Sequence, residues 1–227
     1  MLRAVIFDFN GILIDDEPIH LELFRKVLRD EGLSFTDEDY YARYLGLDDR
    51  GAFKAIFRDN GRSLNDAALA RLIERKAAFY RASIADRTVI FPGVKRLVSE
   101  LAARFPLAVA SGALRHEIES ILQGAGLRNY FQVVVSAEDV AEGKPHPEIF
   151  IKALREIGRA RPQSDPILAS ECLVVEDSKE GILAAQRAGI KCLAVTNSHP
   201  AAELKSANGV VASLEEVTIS FLEALFT

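Results

Sequence analysis

The sequence predicts an α/β fold: a parallel sheet with helices on both faces, interrupted after its first strand by a helical insert. Three observations carry this. Short apolar runs of strand length alternate with segments of helical period through most of the chain. Four of those runs end at a small polar or acidic residue, the kind of position where a strand gives way to a turn. Residues 17–86 break the alternation and hold helical stripes without a convincing strand.

Residues 3–8, RAVIFD, form the first run, which ends at a carboxylate and is followed by Gly11. Comparable runs are LAVAS at 107–111, QVVVS at 132–136 and CLVVED at 172–177, with further short ones at 191–196 (KCLAVT) and 209–212 (GVVA). Between them, residues 93–104 place Val94, Leu97, Val98, Leu101 and Ala102 on one stripe. Residues 114–125 do the same with Leu114, Ile118, Ile121 and Leu122, and residues 147–157 with Ile149, Phe150, Ala153, Leu154 and Ile157. Residues 179–188 align Ile182, Leu183, Ala185 and Ala188, then meet Gly189 as a stop signal. Strands alternating with helices imply a parallel sheet covered on both faces.

Inside the insert, Ile19, Leu23, Val27 and Leu28 form one stripe, and Leu69, Leu72, Ile73 and Ala77 another. Asp15–Pro18 and Thr88–Gly93 connect it to the sheet, and Pro or Gly near each makes them candidate hinges. The expected division is a core of residues 1–15 and 89–227 and a helical domain of 16–88.

Composition narrows the function classes. At 227 residues, 49% hydrophobic and 27% charged, the chain is an ordinary globular protein and not a disordered one. A net charge of -5 gives no broad attraction for nucleic acid or anionic lipid, while leaving room for a small anionic substrate in a locally positive pocket. Cys172 and Cys192 lie in apolar runs and read as reduced core thiols. The N-terminus meets Asp8 too early for a signal-peptide core, and no apolar run approaches membrane-span length, so the reading is cytoplasmic, a monomer or weak dimer.

In open parallel sheets, ligands bind beyond the carboxyl ends of the strands. Those ends offer Asp8 with Asn10, Ser111 with Gly112, Lys144 nearby, and Glu176 with Asp177. Each residue type suits phosphoryl transfer. A carboxylate at Asp8 can attack phosphorus, and Glu176 and Asp177 can hold magnesium alongside it. Lys144 can neutralise the phosphoryl group and its attacker together. Ser111 and the Gly112 amide can donate to phosphoryl oxygens at a helix start, and Gly11 lets the chain turn so that backbone amides face the phosphate. Taken singly, Asp8 and Ser111 would be ordinary helix caps, and Lys144 a solvated loop charge. Order and spacing together point to a site.

DFNGILID at 8–15, ASGA at 110–113, GKPHPEIF at 143–150 and VVEDSKEGILAAQRAGI at 174–190 resemble the four motifs of the haloacid dehalogenase superfamily, in the branch that contains β-phosphoglucomutase and phosphoglycolate phosphatase. The resemblance implies a Rossmann-like core with a small α-helical cap inserted after the first strand. It implies Asp8 as nucleophile and metal ligand, the backbone carbonyl of Asn10 as a further ligand, Ser111 and Lys144 as phosphoryl binders, and Glu176 and Asp177 completing a Mg2+ site. In the cap it implies His20 near the first motif, GLDDR from Gly46 to Arg50 as a specificity loop with Arg50 reading phosphate, and Lys76 facing the active site. His20, Arg50 and Lys76 are also residue types found as ordinary helix or surface side chains.

The chain departs from the family pattern at three places. The family has a second Asp two residues after the nucleophile, where this chain has Asn10. An amide cannot exchange protons at useful pH, and losing general acid–base help costs roughly 10²–10⁴ in rate. Ile12 replaces the usual Thr, and Glu148 replaces the usual Asp. Three accounts of Asn10 stand open: a natural enzyme with slow turnover or a taste for good leaving groups such as acyl phosphates, an engineered inactivating substitution made to trap a complex, or a natural loss of catalysis with ligand binding kept. The first is favoured, because every other catalytic group is present.

The expected activity is therefore a magnesium-dependent phosphatase of a small phosphorylated metabolite, working through an aspartyl phosphate on Asp8. A sugar phosphate mutase of the β-phosphoglucomutase type is one alternative, and a non-catalytic phosphometabolite-binding protein is another. Haloacid dehalogenation fits less well, since it needs no metal and Glu176–Asp177 is a metal-site pair.

Overall fold

A computed structural model gives the fold and describes residues 1–45, 47, 49–84, 90–161 and 165–227. Six strands form one sheet: β1 (Ala4–Phe7), β2 (Leu107–Ala110), β3 (Val133–Val135), β4 (Cys172–Glu176), β5 (Lys191–Val195) and β6 (Gly209–Val211). Their order is β3-β2-β1-β4-β5-β6, and every pairing is parallel. All six coincide with the apolar runs of the sequence. The chain winds outward from β1 to β3 on one side, then crosses to β4 on the other. Between β1 and β4 lies the point where the winding reverses, which in doubly wound sheets opens a crevice at the strand ends.

The strands are continuous apolar runs because the sheet is covered on both faces. Successive side chains point to opposite faces. Ala4, Ile6, Cys172 and Val174 join a core with Phe150 and Ile157 of α7 (Glu148–Arg159) and Ile182 and Ala185 of α8 (Lys179–Arg187). The residues of opposite parity, Val5, Phe7, Leu173 and Val175, are equally buried. Each such Val, Ile, Leu or Phe contributes about 1.5–3 kcal/mol on burial.

The chain divides into two compact units, Met1–Asp15 with Thr88–Thr227, and Asp16–Arg87. In the first, α5 (Val94–Ala102) and α6 (Arg115–Gly124) follow β1 and β2 in sequence, and a last helix, α9 (Ile219–Ala224), is capped by the Thr218 side chain accepting from the Phe221 amide. Sequence periodicity shows no counterpart of α9; at six residues it is too short for a period to emerge. At the point where the helical unit enters and leaves, Ile14 and Ile90 form an antiparallel bridge. Of the connection expected at Thr88–Gly93, Thr88 and Val89 lie outside the described residues.

The second unit is helical: α1 (Glu17–Arg29), α2 (Asp37–Asp39) running into a wider turn at Tyr40–Tyr44, α3 (Asp49–Asp59) and α4 (Asp66–Ile84). Its own core contains Phe24, Val27 and Leu28 of α1, Phe53 and Ile56 of α3, and Leu69 and Leu72 of α4, with Tyr40 and Tyr44 between. Among the described residues, no helix is long and apolar enough to cross a membrane.

Candidate active site

Phe7 pairs with Val109 on one side and Val175 on the other, so Asp8, one residue on, lies level with the ends of β2 and β4. Its backbone amide donates to Val175 O at 2.9 Å, which continues the ladder through the carboxylate-bearing residue. The next turn is tight. The Gly11 amide donates to Ile14 O at 2.9 Å, and Gly11 adopts φ +76°. A Cβ there would sit 1.9 Å from Asp177 Oδ2, so both the backbone and the space demand glycine. The Gly11 amide is thus engaged inside its own turn. Glycine is required for shape and for the close approach of Asp177.

Glu176 is the last residue of β4 and is fully buried. Its Oε2 accepts from the amides of Asp177 (2.9 Å) and Ser178 (3.0 Å) and from the Ser178 hydroxyl (2.8 Å), while Oε1 meets Lys144 Nζ at 2.5 Å. Gly181, in the first turn of α8, makes room for this carboxylate, since a Cβ there would lie 1.9 Å from it. Lys144 Nζ also lies 2.7 Å from Asp8 Oδ1. The loop that carries Lys144 is braced by Glu148, whose Oε2 accepts from the amides of Ala141 and Glu142, both at 3.1 Å. Glu148 is thus a structural staple, and the extra methylene relative to Asp gives it the reach.

Oxygens of Asp8, Glu176 and Asp177 lie within 4.8 Å of one another, all buried. Among the described residues, Lys144 pairs with two of these carboxylates, Asp8 and Glu176, while Asp177 accepts from a hydroxyl. Burial pushes the Asp8 carboxyl up to about 6; the adjacent Lys144 opposes that rise and the Glu176 charge adds to it. Burial likewise drives Asp177 well above its usual value, helped by the charges of Glu176 and Asp8. Burial also acts upward on Glu176, but Lys144 and the Ser178 donors outweigh it and hold this carboxyl low. For Lys144, burial acts downward, and the two carboxylates more than reverse it. The arrangement carries more negative charge than its lysine can balance. Hard oxygen donors with uncompensated charge are the donor set that magnesium takes, so the residues present fit a divalent cation.

Ser111 follows β2, is buried, and donates its amide to Val135 O at 3.0 Å. Its hydroxyl accepts from the Ala113 amide at 3.1 Å, leaving its proton free to point elsewhere. Here the sequence reading needs correction. The helix begins only at Arg115, after Gly112, Ala113 and Leu114, so neither Ser111 nor the Gly112 amide sits at a helix start. A short serine turn takes that place. Gly112 is exposed, with open space where a side chain would go.

The structure adds a segment that the sequence reading did not identify. Beyond β5, Asn197 Nδ2 donates to Gly11 O at 2.7 Å, and the Ser198 hydroxyl donates to Asp177 Oδ2. Polar residues after a strand read as an ordinary loop, and no local pattern signals a contact across so much chain.

In the helical unit, His20 and Lys76 come together. Lys76 is 1% exposed because it occupies the buried stripe of α4, one turn beyond Leu72. Its Nζ contacts Asp49 Oδ1 at 2.5 Å and His20 Nδ1 at 2.7 Å, and lies 4.3 Å from the Phe24 ring centroid. An ammonium can only donate, so Nδ1 of His20 accepts and its proton resides on Nε2. That nitrogen is 3.0 Å from Asp16 Oδ2, which also accepts from the Tyr80 hydroxyl at 2.6 Å. Arg50 is exposed in the first turn of α3, and Gly46 lies outside the described residues.

Comparisons with known proteins bear on this geometry. The family model described as haloacid dehalogenase-like hydrolase matches residues 5–195. A chloroplastic 5-amino-6-(5-phospho-D-ribitylamino)uracil phosphatase of Arabidopsis thaliana is 29% identical over 224 residues, 98% of this chain; the chain spans 57% of that protein's length. The fructose-1-phosphate phosphatase of Escherichia coli is 32% identical over 192 residues, covering 85% of this chain and 95% of that protein. A crystal structure of β-phosphoglucomutase from Clostridium difficile superposes with a TM-score of 0.83, covering 100% of this chain and 97% of that one; at 22% identity the likeness is one of fold. Since the matched stretch runs from β1 to the end of β5 and takes in every motif that builds the carboxylate cluster, the chain belongs to the haloacid dehalogenase-like hydrolases.

Proposed function

We propose that this chain is a magnesium-dependent phosphatase of a small phosphorylated metabolite in the cytoplasm, with Asp8 as its nucleophile. The observation that carries the reading is the placement of Lys144 between Asp8 and Glu176, beside a third buried carboxylate at Asp177. A buried ammonium touching the attacking oxygen lowers the repulsion between two anions. It can also bind the phosphoryl oxygens as charge develops on them.

In this reading an oxygen of Asp8 forms a bond to phosphorus while the bond to the leaving oxygen breaks. Water then attacks the phosphorus of the aspartyl phosphate, inorganic phosphate departs and the Asp8 carboxylate is restored. Ser111 and Gly112 are the proposed donors to the phosphoryl group from the β2 side. Asp8, the Asn10 carbonyl, Glu176 and Asp177 would hold the magnesium, which when bound supplies charge neutralisation to the phosphoryl oxygens. Glu176 has a second task, since its short contact orients Lys144. The helical unit, 16–88, is proposed as the family's cap, with His20, Gly46, Arg50 and Lys76 as candidates for substrate selection.

Asn10 shapes the substrate range. Without a carboxylic acid at that position the leaving oxygen receives no proton from the chain there. Esters of acidic leaving groups, acyl phosphates among them, are the substrates that tolerate this. The test is magnesium-dependent release of inorganic phosphate across a panel of phosphate esters and acyl phosphates. Release that disappears in Asp8→Asn supports the reading; no release from any compound with magnesium present removes it. Asn10 also favours a second reading, a phosphometabolite binder without turnover, for which calorimetry would show saturable ligand binding in a protein inert in the same assay.

A further inference from the structure

The proposed function leaves the loop after β5 without a task, yet two of its side chains enter the site. Its base is fixed, because Val195 pairs with Val211 and the Thr196 amide donates to Val211 O at 3.0 Å. From that base, Asn197 grips the Gly11 carbonyl at 2.7 Å and the Ser198 hydroxyl donates to Asp177 Oδ2. The same hydroxyl oxygen lies 3.1 Å from where a Cβ on Gly11 would stand, so Gly11, Asp177 and Ser198 pack as a trio.

We propose that Ser198 and Asn197 are positioning residues of the metal site, an inference that rests on the reading above. The terminal torsion of an aspartate is broad and roughly two-fold, so an unrestrained carboxylate turns easily. A hydroxyl that occupies Oδ2 fixes this rotation and leaves Oδ1 of Asp177 for a cation. Asn197 acts on the other partner. By holding the carbonyl of Gly11 it anchors the turn that carries the Asn10 carbonyl. One loop thereby sets two groups that must meet the same ion. Partners that orient metal ligands in this way are worth about 10–100-fold in metal affinity.

The experiment uses the full chain and magnesium alone, with no substrate. Calorimetry measures magnesium affinity for the wild type, Ser198→Ala, Ser198→Thr and Asn197→Ala, and thermal melts are run with and without magnesium. Ser198→Ala is expected to bind magnesium about 10-fold or more weakly, and Ser198→Thr, which keeps the hydroxyl, is expected to stay near the wild type. In phosphate release, the magnesium concentration for half activity should rise in Ser198→Ala while kcat at saturating magnesium stays within a few-fold. Asn197 is exposed, so its truncation leaves the core untouched and should still weaken magnesium binding. A merely structural brace would lower the melting temperature equally with and without magnesium and leave affinity unchanged, and that result overturns the inference. So does a Ser198→Thr variant as weak as Ser198→Ala. Should Ser198→Ala fail to fold, unchanged affinity in Asn197→Ala overturns it. A wild type that binds no magnesium removes this inference and the proposed function together, whereas equal binding by wild type and variants removes this inference alone.

Discussion

The ammonium of Lys144 stands 2.7 Å from Oδ1 of Asp8, and the two residues come from different loops of the sheet's crevice. Because Lys144 also holds Glu176, replacing it with Met leaves two buried carboxylates without their counter-charge. Removing one partner of such a cluster destabilises by roughly 3 kcal/mol. Lys144→Met should therefore unfold at lower urea concentration and release no phosphate. The double variant Lys144→Met, Glu176→Gln should regain part of the stability and none of the activity, because the fold needs charge balance while the proposed mechanism needs the ammonium itself.

Restoring a proton carrier should raise turnover. Asn10→Asp is expected to increase the rate of phosphate release by roughly 10²–10⁴, the usual contribution of general acid–base catalysis. The gain should be larger for alkyl phosphate esters than for acyl phosphates, whose leaving groups need less help. Adding Asp8→Asn to that background should return release to zero. An unchanged rate in Asn10→Asp, assayed with saturating magnesium, would show that the missing acid is not what limits the enzyme.

The contact between Lys76 and His20 fixes a tautomer that nuclear magnetic resonance can read. Nitrogen shifts of His20 should show a neutral ring protonated at Nε2, bonded toward Asp16. Lys76→Met should abolish that preference. It should also destabilise the helical unit by about 2–3 kcal/mol, since Asp49 and His20 lose a buried charged partner. A tautomer mixture in the wild type would contradict the geometry.

Away from the site, Asp139 gives an acid limb to the stability curve. Its Oδ2 accepts from the Ser136 amide at 2.8 Å and hydroxyl at 2.9 Å, and from Arg115. Burial pushes this carboxyl up, but those donors and the Arg115 charge outweigh it and hold it below its ordinary 3.8. A depressed folded value means that the unfolded chain binds the proton first. Stability from this group is complete above pH 3.8 and falls as pH drops below it toward the lower folded value. Asp139→Asn should be less stable at neutral pH by about 1 kcal/mol, and its stability should change less between pH 5 and 3. Chemical denaturation at fixed pH values checks both.

The sheet was legible because its strands are buried on both faces, which writes each one as an unbroken apolar run such as VIF or LVV. The carboxylates and Lys144 were legible because each stands at the end of such a run or in a short motif. What was not legible depends on long-range contact. Ser198 and Asn197 carry no periodicity, and only the folded sheet brings them to Asp177 and Gly11. The start of α6 at Arg115 was obscured because Ser111 is a good helix cap by type, yet its hydroxyl serves a turn two residues long instead. The burial of Lys76 was half visible. Its position on the stripe of Leu69 and Leu72 points inward, but only the folded unit brings Asp49 and His20, from two other helices, to the charge buried there. The glycine at position 11 was legible as a turn, whereas the partner of its amide, Ile14 O, lies just past the turn it makes and has no local signal.

The strand that leads into Asp8 is flanked on both sides, by β2 and by β4. Displacing it would mean unzipping two ladders at once, so its opening should cost as much as unfolding the whole unit, and its amides should be among the slowest to exchange with deuterium. A reacting group mounted so stiffly cannot travel to meet ligands of different shape. Evolution of new preferences on this scaffold must then proceed by altering what surrounds a stationary reference point, leaving the anchor where it is.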